Sequence, residues 1–145
     1  MSASPQISAR PTLQAAVRLL QAAELPTEDL TPSHVEHFYF SGSVETPIGL
    51  VGLEIFGHVA LLRSLVVTPD RRGYGEGQKL LEHAEREAWN KGVRAIYLLT
   101  TTAEHFFTRF GYTRTSREAA PQAIKTTREF AGICPASSAF MAKHL

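Results

Sequence analysis

The residues best suited to chemistry lie in one stretch of the chain, residues 61–77. Apolar, largely β-branched residues lead into a basic pair, Arg71 and Arg72. Three glycines follow at alternate positions: Gly73, Gly75 and Gly77. Glycines let the backbone approach a ligand closely, and the free N–H groups at a helix start face negative charge. The stretch therefore predicts a strand, a loop that binds a diphosphate and the beginning of a helix.

The spacing of these glycines distinguishes between the known classes of phosphate-binding loop. No Gly-Lys-Ser/Thr follows them, which excludes the NTPase loop, and the spacing fails the dinucleotide pattern G-x-G-x-x-G. The run from Arg72 to Gly77 fits [Q/R]-x-x-G-x-[G/A], the coenzyme A pyrophosphate signature of the GNAT N-acetyltransferases. The sequence resembles that superfamily. The alternative is that the glycines simply mark a turn.

This resemblance implies acetyl-CoA as the cosubstrate and assigns roles to the loop. The residues that would bind the cofactor through its pyrophosphate are Arg72, Gly73, Tyr74, Gly75, Gly77 and Gln78. The backbone of Leu65 and Val67 would contact the pantetheine arm. The N–H of Val67 would also stabilise the oxyanion that forms during acetyl transfer, so a catalytic role needs no special side chain there.

The length and composition of the chain limit the classes of protein to which it can belong and the partners it can bind. A chain of 145 residues with 43% apolar and 20% charged residues suits a single soluble globular domain. The resemblance implies that residues 1–145 form one GNAT domain. A net charge of +1 gives no field that would recruit nucleic acid or a membrane. The single cysteine excludes an internal disulfide and fits a reducing cytoplasm, and neither a signal peptide nor a membrane-spanning run is visible.

The hydrophobic pattern predicts an α+β fold. Apolar residues from Leu13 to Leu20 recur at helical spacing and should end before Pro26. Strands are predicted at 35–40, 47–56 and 59–68, forming an antiparallel meander in which Gly49 and Gly52 weaken the middle strand or mark a bulge. The remaining predicted elements are a helix at 75–91, a strand at 95–99, a helix at 104–110, a strand from 112, partly helical structure within 121–130 and a strand at 137–143.

This order of elements resembles the GNAT fold from about residue 6 to residue 143. The resemblance implies a mixed, mostly antiparallel sheet with flanking helices, in which the central strand and its parallel neighbour splay apart. Exposed strand edges in this fold often pair, so a homodimer is a further possibility.

The residue at the position that usually protonates the leaving thiolate differs from the family pattern. The common donor is a tyrosine in F-Y-x-x-x-G-[F/Y], but this chain has Phe107 at that position, which cannot donate a proton. Tyr112 is the nearest phenol in the sequence and is the candidate for a catalytic acid, although its position usually holds a packing aromatic. The alternative is a thiolate that leaves without a side-chain acid.

No single residue stands out as the base. Candidates for a catalytic base are Glu45, Glu54, His58, Glu104 and His105. Glu54 lies on a predicted core strand, where a carboxylate needs a reason to be buried, and an ion pair or a solvent-facing position would supply one.

Arg63 is the clearest indication of an acceptor. It interrupts an apolar strand, and strict alternation would place it on the same face as Leu65 and Val67. There it would bind a carboxylate of the acceptor substrate, unless it forms an ion pair with Glu54. Arg128 is a weaker candidate for the same role.

Neither a metal site nor a nucleophilic cysteine is predicted. His34 and His37 have metal-like spacing, but no third ligand is evident. Cys134 is expected to be a small buried residue.

Taken together, the resemblance implies an enzyme that moves acetyl from acetyl-CoA to a primary amine by direct attack within a ternary complex. Phe106-Phe107, Gly111-Tyr112 and the segment 127–137 resemble arsenic-resistance N-acetyltransferases, which implies a small amino-acid-like acceptor such as a glutamate-analogue organoarsenical. The rival functions are a protein or peptide acetyltransferase, for which segment 25–34 would have to form an open groove, and a non-catalytic acyl-CoA-binding module.

Overall fold

The computed structural model describes residues 6–145, which form one seven-stranded sheet with helices on both faces. The strands are β1 (Ile7–Ala9), β2 (Phe38–Gly42), β3 (Pro47–Phe56), β4 (Val59–Val67), β5 (Ala95–Thr100), β6 (Thr113–Arg114) and β7 (Ala139–His144). The helices are α1 (Leu13–Ala22), α2 (Glu76–Asn90), α3 (Glu104–Arg109) and α4 (Gln122–Lys125). The first five residues of the predicted domain lie outside the described part.

The sheet is mixed and mostly antiparallel, as predicted. Its order is β1-β2-β3-β4-β5-β7-β6, and β4 and β5 form its one parallel pair. That pair holds register only from Val59 opposite Ala95 to Leu61 opposite Tyr97. Beyond Leu61 the two strands have no register partners in each other, so the predicted splay of the central strands is confirmed.

The two main helices cover opposite faces of the sheet. Helix α1 begins at the cap residue Thr12, whose hydroxyl accepts a hydrogen bond from the N–H of Ala15 at 3.0 Å. Its apolar stripe packs on one face of the sheet beside Leu50 and Val66. Helix α2 packs its own stripe on the other face, and this larger core holds Leu80, Leu81, Ala84, Ala88, Val51, Leu53 and Leu62. No helix within residues 6–145 has the length and apolarity needed to cross a membrane.

Strand β2 begins later than predicted. Its first residue is Phe38, and the preceding His34–His37 form a 3-10 turn instead of the strand expected from residue 35. The Thr31 side chain contacts His34 Nδ1 at 2.9 Å, which fixes this turn locally. A turn held by a short polar residue three positions away leaves no trace in hydrophobic alternation, which is why the pattern failed here.

The two glycines of β3 are required by packing. A Cβ added at Gly52 would lie 2.2 Å from a ring carbon of Phe38, and one added at Gly49 would lie 2.7 Å from a methyl group of Leu80. The predicted bulge is also present, because the β3–β4 register shifts between Leu50 and Gly52. The extra residue is on β4.

This bulge changes which β4 side chains share a face. Gly52 pairs with Arg63 and Leu50 pairs with Val66, so two β4 residues oppose one residue of β3. Arg63 and Val66 therefore share the α1 face, whereas Leu65 and Val67 pack toward the α2 core. The prediction that Arg63 shares a face with Leu65 and Val67 is wrong, because it assumed an uninterrupted strand.

Candidate active site

A cavity of about 600 Å³ fills the space where β4 and β5 splay apart. We call it the splay cavity. Its walls come from the ends of these two strands, from the segment after α1, from Phe107 and from the segment 129–138. The residues that line it include Leu25, Pro26, Arg63, Ser64, Leu65, Thr100, Phe107, Glu129, Cys134 and Ser138.

The backbone of β4 is exposed to this cavity at the bulge. Ser64 and Leu65 have no register partner on β3 or on β5. Ser64 has a φ of 62°, which is unusual for a residue other than glycine and is held by the bulge. Backbone groups without a strand partner can bind an extended ligand arm, which is the role that the resemblance implied for Leu65.

A second cavity, of about 390 Å³, lies at the N-terminus of α2, and we call it the loop cavity. Among the residues predicted to bind the cofactor, those that line it are Val67, Arg72, Gly73, Gly75, Gly77 and Gln78. Tyr74 does not line it. The Tyr74 side chain is 69% exposed, and the guanidinium of Arg71 lies 5.5 Å from its ring centre.

The glycine loop presents open backbone to a ligand. Gly73 and Gly75 have φ values of 86° and 81°, and a Cβ added at either would meet no atom within 4 Å. Gly75 caps α2, a helix of 15 residues, so the positive end of the helix dipole faces this cavity. Arg72 and Arg109 add positive charge to its wall.

The backbone of Val67 is directed toward the loop. The N–H of Thr68 donates to the carbonyl of Ile48 at 2.8 Å, which makes Thr68 and Ile48 a hydrogen-bonded pair. Because such pairs alternate along antiparallel strands, the N–H and carbonyl of Val67 point away from β3. Its carbonyl accepts a hydrogen bond from Arg72 Nε at 3.1 Å.

Arg63 is buried beside the splay cavity in a cluster with three carboxylates, which we call the Arg63 cluster. Its members are Arg63, Asp29, Glu54 and Glu129. Asp29 accepts two hydrogen bonds from the guanidinium, at 2.5 and 2.8 Å, and Glu54 accepts one at 2.9 Å. Glu129 lies 3.4 Å from Nη2. The proposed ion pair with Glu54 is therefore present, together with two partners that the sequence did not indicate.

Two carboxylates of the Arg63 cluster have pKa values that are shifted in opposite directions. Burial alone would raise the pKa of Asp29, but the hydrogen bonds and charge of Arg63 outweigh it and lower that pKa. Burial raises the pKa of Glu129 to about 7, with repulsion from Asp29 and Glu54 adding to the effect and Arg63 opposing it. A carboxyl group with a pKa near neutral pH is suited to act as a general base.

Tyr112 is not placed to act as the acid. The residue is fully buried, it does not line the splay cavity, and its hydroxyl donates to Glu85 at 2.9 Å. Burial, the negative charge of Glu85 and this hydrogen bond all raise the pKa of Tyr112. The assignment of Tyr112 as the catalytic acid is corrected accordingly. Phe107, at the usual tyrosine position, does line the cavity.

The predicted bases lie elsewhere. None of Glu45, Glu54, His58, Glu104 and His105 lines the splay cavity. Glu54 binds Arg63 and lies 3.8 Å from His34, while Glu104 pairs with Arg114. Arg128 is exposed and is not among the lining residues either. The assignment of Glu54 as a catalytic base is replaced by its role as a partner of Arg63.

Two other sequence-based expectations concern metal and thiol chemistry. Ligand atoms of Asp29, His34 and Glu54 lie within 4.8 Å of one another, but both carboxylates already accept hydrogen bonds from Arg63. A cation would therefore have to displace the guanidinium. Cys134 is half-buried in the cavity wall, and burial raises the pKa of its thiol to about 12. The thiol thus stays protonated at neutral pH and is a poor nucleophile.

Comparison with known proteins agrees with this geometry. The chain belongs to the GNAT acetyltransferase family, because residues 34–114 match the model of the acetyltransferase (GNAT) domain. It is 34% identical over 64 residues to an amino-acid acetyltransferase of Ralstonia nicotianae, an alignment that covers 44% of this chain and 14% of that protein. The chain therefore spans about one seventh of the length of such relatives.

Two solved structures share the fold. The first is N-acetylglutamate synthase from Neisseria gonorrhoeae, solved with coenzyme A and L-arginine. It has a TM-score of 0.82 and 18% identity, and the match covers 99% of this chain and 34% of that one. The second is Rv2747 from Mycobacterium tuberculosis, solved with CoA and NLQ. It has a TM-score of 0.74 and 14% identity, and the match covers 97% of this chain and 99% of that one.

Proposed function

We propose that this protein is an N-acetyltransferase that moves acetyl from acetyl-CoA to the primary amine of a small, amino-acid-like substrate. The observation that carries the proposal is the position of the two cavities at the bulged end of β4. The loop cavity offers a helix N-terminus and three arginines to a diphosphate, and the splay cavity offers strand backbone without register partners and a buried acid to the reacting groups.

The residues present can perform the transfer. The glycine loop would bind the pyrophosphate of the cosubstrate, and the backbone of Ser64 and Leu65 would contact the pantetheine arm. The amine nitrogen forms a bond to the thioester carbon while the N–H of Val67 stabilises the oxyanion. The nitrogen then loses its extra proton to solvent, the carbon–sulfur bond breaks, and the coenzyme leaves as a thiolate that takes a proton from solvent. Overall, an ammonium substrate and acetyl-CoA give an amide, the free thiol and one proton.

Related proteins support the identity of both substrates. Structural neighbours were crystallised with coenzyme A, and several relatives, including that of Ralstonia nicotianae, are named amino-acid acetyltransferases. On this basis we assign acetyl-CoA as the cosubstrate and an amino-acid-like amine as the acceptor, within one GNAT domain.

The position of segment 25–34 supports a small acceptor. Leu25, Pro26 and Glu28 line the splay cavity, and the neighbouring Asp29 anchors the segment to Arg63 through two buried hydrogen bonds. A segment held against the sheet in this way favours a small molecule over a peptide, which would need an open groove.

The narrower hypothesis of a glutamate-analogue organoarsenical acceptor rests on the resemblance of the Phe106-Phe107 and 127–137 segments to arsenic-resistance enzymes. The carboxylate of such an acceptor was expected to bind Arg63. Because Arg63 already binds three acids, the arsenical enters our proposal only as a member of the test panel.

The test is continuous measurement of thiol release from acetyl-CoA with a panel of amines: amino acids, polyamines, an organoarsenical amino acid and lysine peptides. The variant Gly75→Glu places a carboxylate where the diphosphate should bind. Gly57→Glu is its matched control, because Gly57 also has a positive φ of 65° and open space, but lies in the β3–β4 hairpin. Turnover that Gly75→Glu abolishes and Gly57→Glu preserves supports the proposal. Binding of acetyl-CoA without turnover of any amine would indicate a binding module instead.

A further inference from the structure

The charges around the splay cavity are strongly unbalanced. Among the residues that the structure describes, three carboxylates line this cavity, those of Glu24, Glu28 and Glu129, against one guanidinium, that of Arg63. A substrate that enters therefore meets more negative than positive charge.

The guanidinium of Arg63 already has a partner for each of its N–H groups. An arginine has five N–H donors. Those of Arg63 face Ser64 Oγ at 3.2 Å from Nε, Asp29 and Glu54 from Nη1, and Asp29 and Glu129 from Nη2. Arg63 is only 3% exposed, so it cannot turn outward to bind a substrate carboxylate without breaking a buried contact.

Glu129 is the member of the cluster whose charge is least compensated. It is 5% exposed, it lines the cavity, and its nearest cationic atom is Arg63 Nη2 at 3.4 Å, beyond the range of a strong charge-assisted hydrogen bond. Asp29 and Glu54 take the shorter contacts with the same guanidinium. A cation that entered the cavity would supply the missing countercharge.

We propose, building on the acetyltransferase function above, that the acceptor is a small amine of net positive charge, such as a basic amino acid or a diamine, whose ammonium group binds Glu129, and that dicarboxylic amino acids are excluded. Before transfer, the carboxylate of Glu129 takes one proton from the bound ammonium. The freed lone pair attacks the thioester carbon, and the nitrogen loses its second proton to solvent as the amide forms. The coenzyme thiolate leaves and takes a proton from solvent, and the proton held by Glu129 then passes to solvent.

Three acceptors of similar length isolate the effect of charge: ornithine, glutamine and glutamate. We expect kcat/KM to fall in that order, with ornithine preferred over glutamate by at least about tenfold, the size expected for one partly buried charge interaction. Calorimetric titration of the same three compounds into the protein saturated with coenzyme A should give the same order of affinity.

Two variants test which carboxylates cause the preference for ornithine over glutamate. Glu129→Gln should reduce the ornithine preference to less than about threefold, and Glu28→Gln, an exposed position in the same wall, should reduce it partly. The matched control is Glu118→Gln, which is exposed and does not line the cavity, and which should change nothing. Thermal unfolding checks that each variant is folded.

The possible results distinguish failure of the proposal on acceptor charge from failure of the acetyltransferase proposal. If glutamate is the best acceptor, the acetyltransferase proposal stands and the charge proposal is overturned. An ornithine preference that survives in Glu129→Gln overturns the role of Glu129. If no amine is acetylated although acetyl-CoA binds, the proposed function fails, and the acceptor proposal fails with it.

Discussion

The Arg63 cluster predicts an unusual effect on stability. Replacing a buried glutamate that contacts an arginine usually destabilises a protein, because the arginine loses its partner. Here, Glu129→Gln leaves Arg63 still donating two hydrogen bonds to Asp29 and one to Glu54. It also removes a charge that the fold accommodates poorly. We therefore expect the variant to be more stable than the wild-type protein at alkaline pH.

The magnitude follows from the pKa of Glu129, which burial raises from 4.5 to about 7. The native state keeps this proton up to about pH 7, whereas the unfolded chain releases it near pH 4.5. Between these values the native state binds more protons, so the free energy of unfolding falls as the pH rises. At about 1.4 kcal/mol per pKa unit, the loss attributable to Glu129 is about 3 kcal/mol, complete above pH 7.

Urea unfolding at several pH values between 4.5 and 8 measures this effect. The free energy of unfolding of Glu129→Gln minus that of the wild type should rise by about 3 kcal/mol across this range. Subtraction removes the titration of other groups to first order. Asp29→Asn is the contrasting variant: it removes the best partner of Arg63 and should destabilise by about 3 kcal/mol or more at pH 8. A difference for Glu129→Gln that stays constant from pH 4.5 to 8 would refute the reasoning.

Three further predictions test the walls of the site and the sheet. Phe107→Tyr restores a phenol to the splay cavity and should raise kcat by at least about tenfold, measured by thiol release, if thiolate protonation limits the rate. Tyr112→Phe should change kcat by less than about twofold and lower the unfolding free energy by about 1 to 2 kcal/mol, because it removes only the hydrogen bond to Glu85. Gly52→Ala should cost about 1 to 3 kcal/mol through its clash with Phe38, and Phe38→Leu in the same chain should recover part of that cost, as urea unfolding of the double variant would show.

The parts of the site that the sequence predicted are those whose residues are close together in the chain. The predicted diphosphate loop needs only a strand, positive-φ glycines and a helix start, and these are adjacent between β4 and α2. Five of the six predicted loop residues line the loop cavity, and so does Val67. Tyr74 was the exception, because a residue inside the motif can still point into solvent.

The acceptor side could not be predicted in the same way. Asp29 and Glu129 lie 34 and 66 positions from Arg63 in the sequence. Asp29 belongs to no motif, and the resemblance of segment 127–137 gave Glu129 no role. The one available signal was Arg63 itself, since an arginine inside an apolar strand must have a counterion. That signal predicts a carboxylate partner without naming it, and it led correctly to Glu54 but to neither of the others.

The bulge explains why Arg63 and the backbone proposed to bind the cofactor coexist on one strand. In a regular strand Arg63, Leu65 and Val67 would share a face, and the arginine would lie beside the cofactor arm. The extra residue moves Arg63 to the α1 face, where Asp29 can reach it from the segment after α1, and leaves Ser64 and Leu65 without strand partners. One irregularity thus exposes backbone to the splay cavity and draws three acids toward its acceptor side. Because one arginine cannot neutralise three carboxylates, the fold retains a buried acid that costs stability in the empty site, and a positively charged amine would relieve that cost on binding.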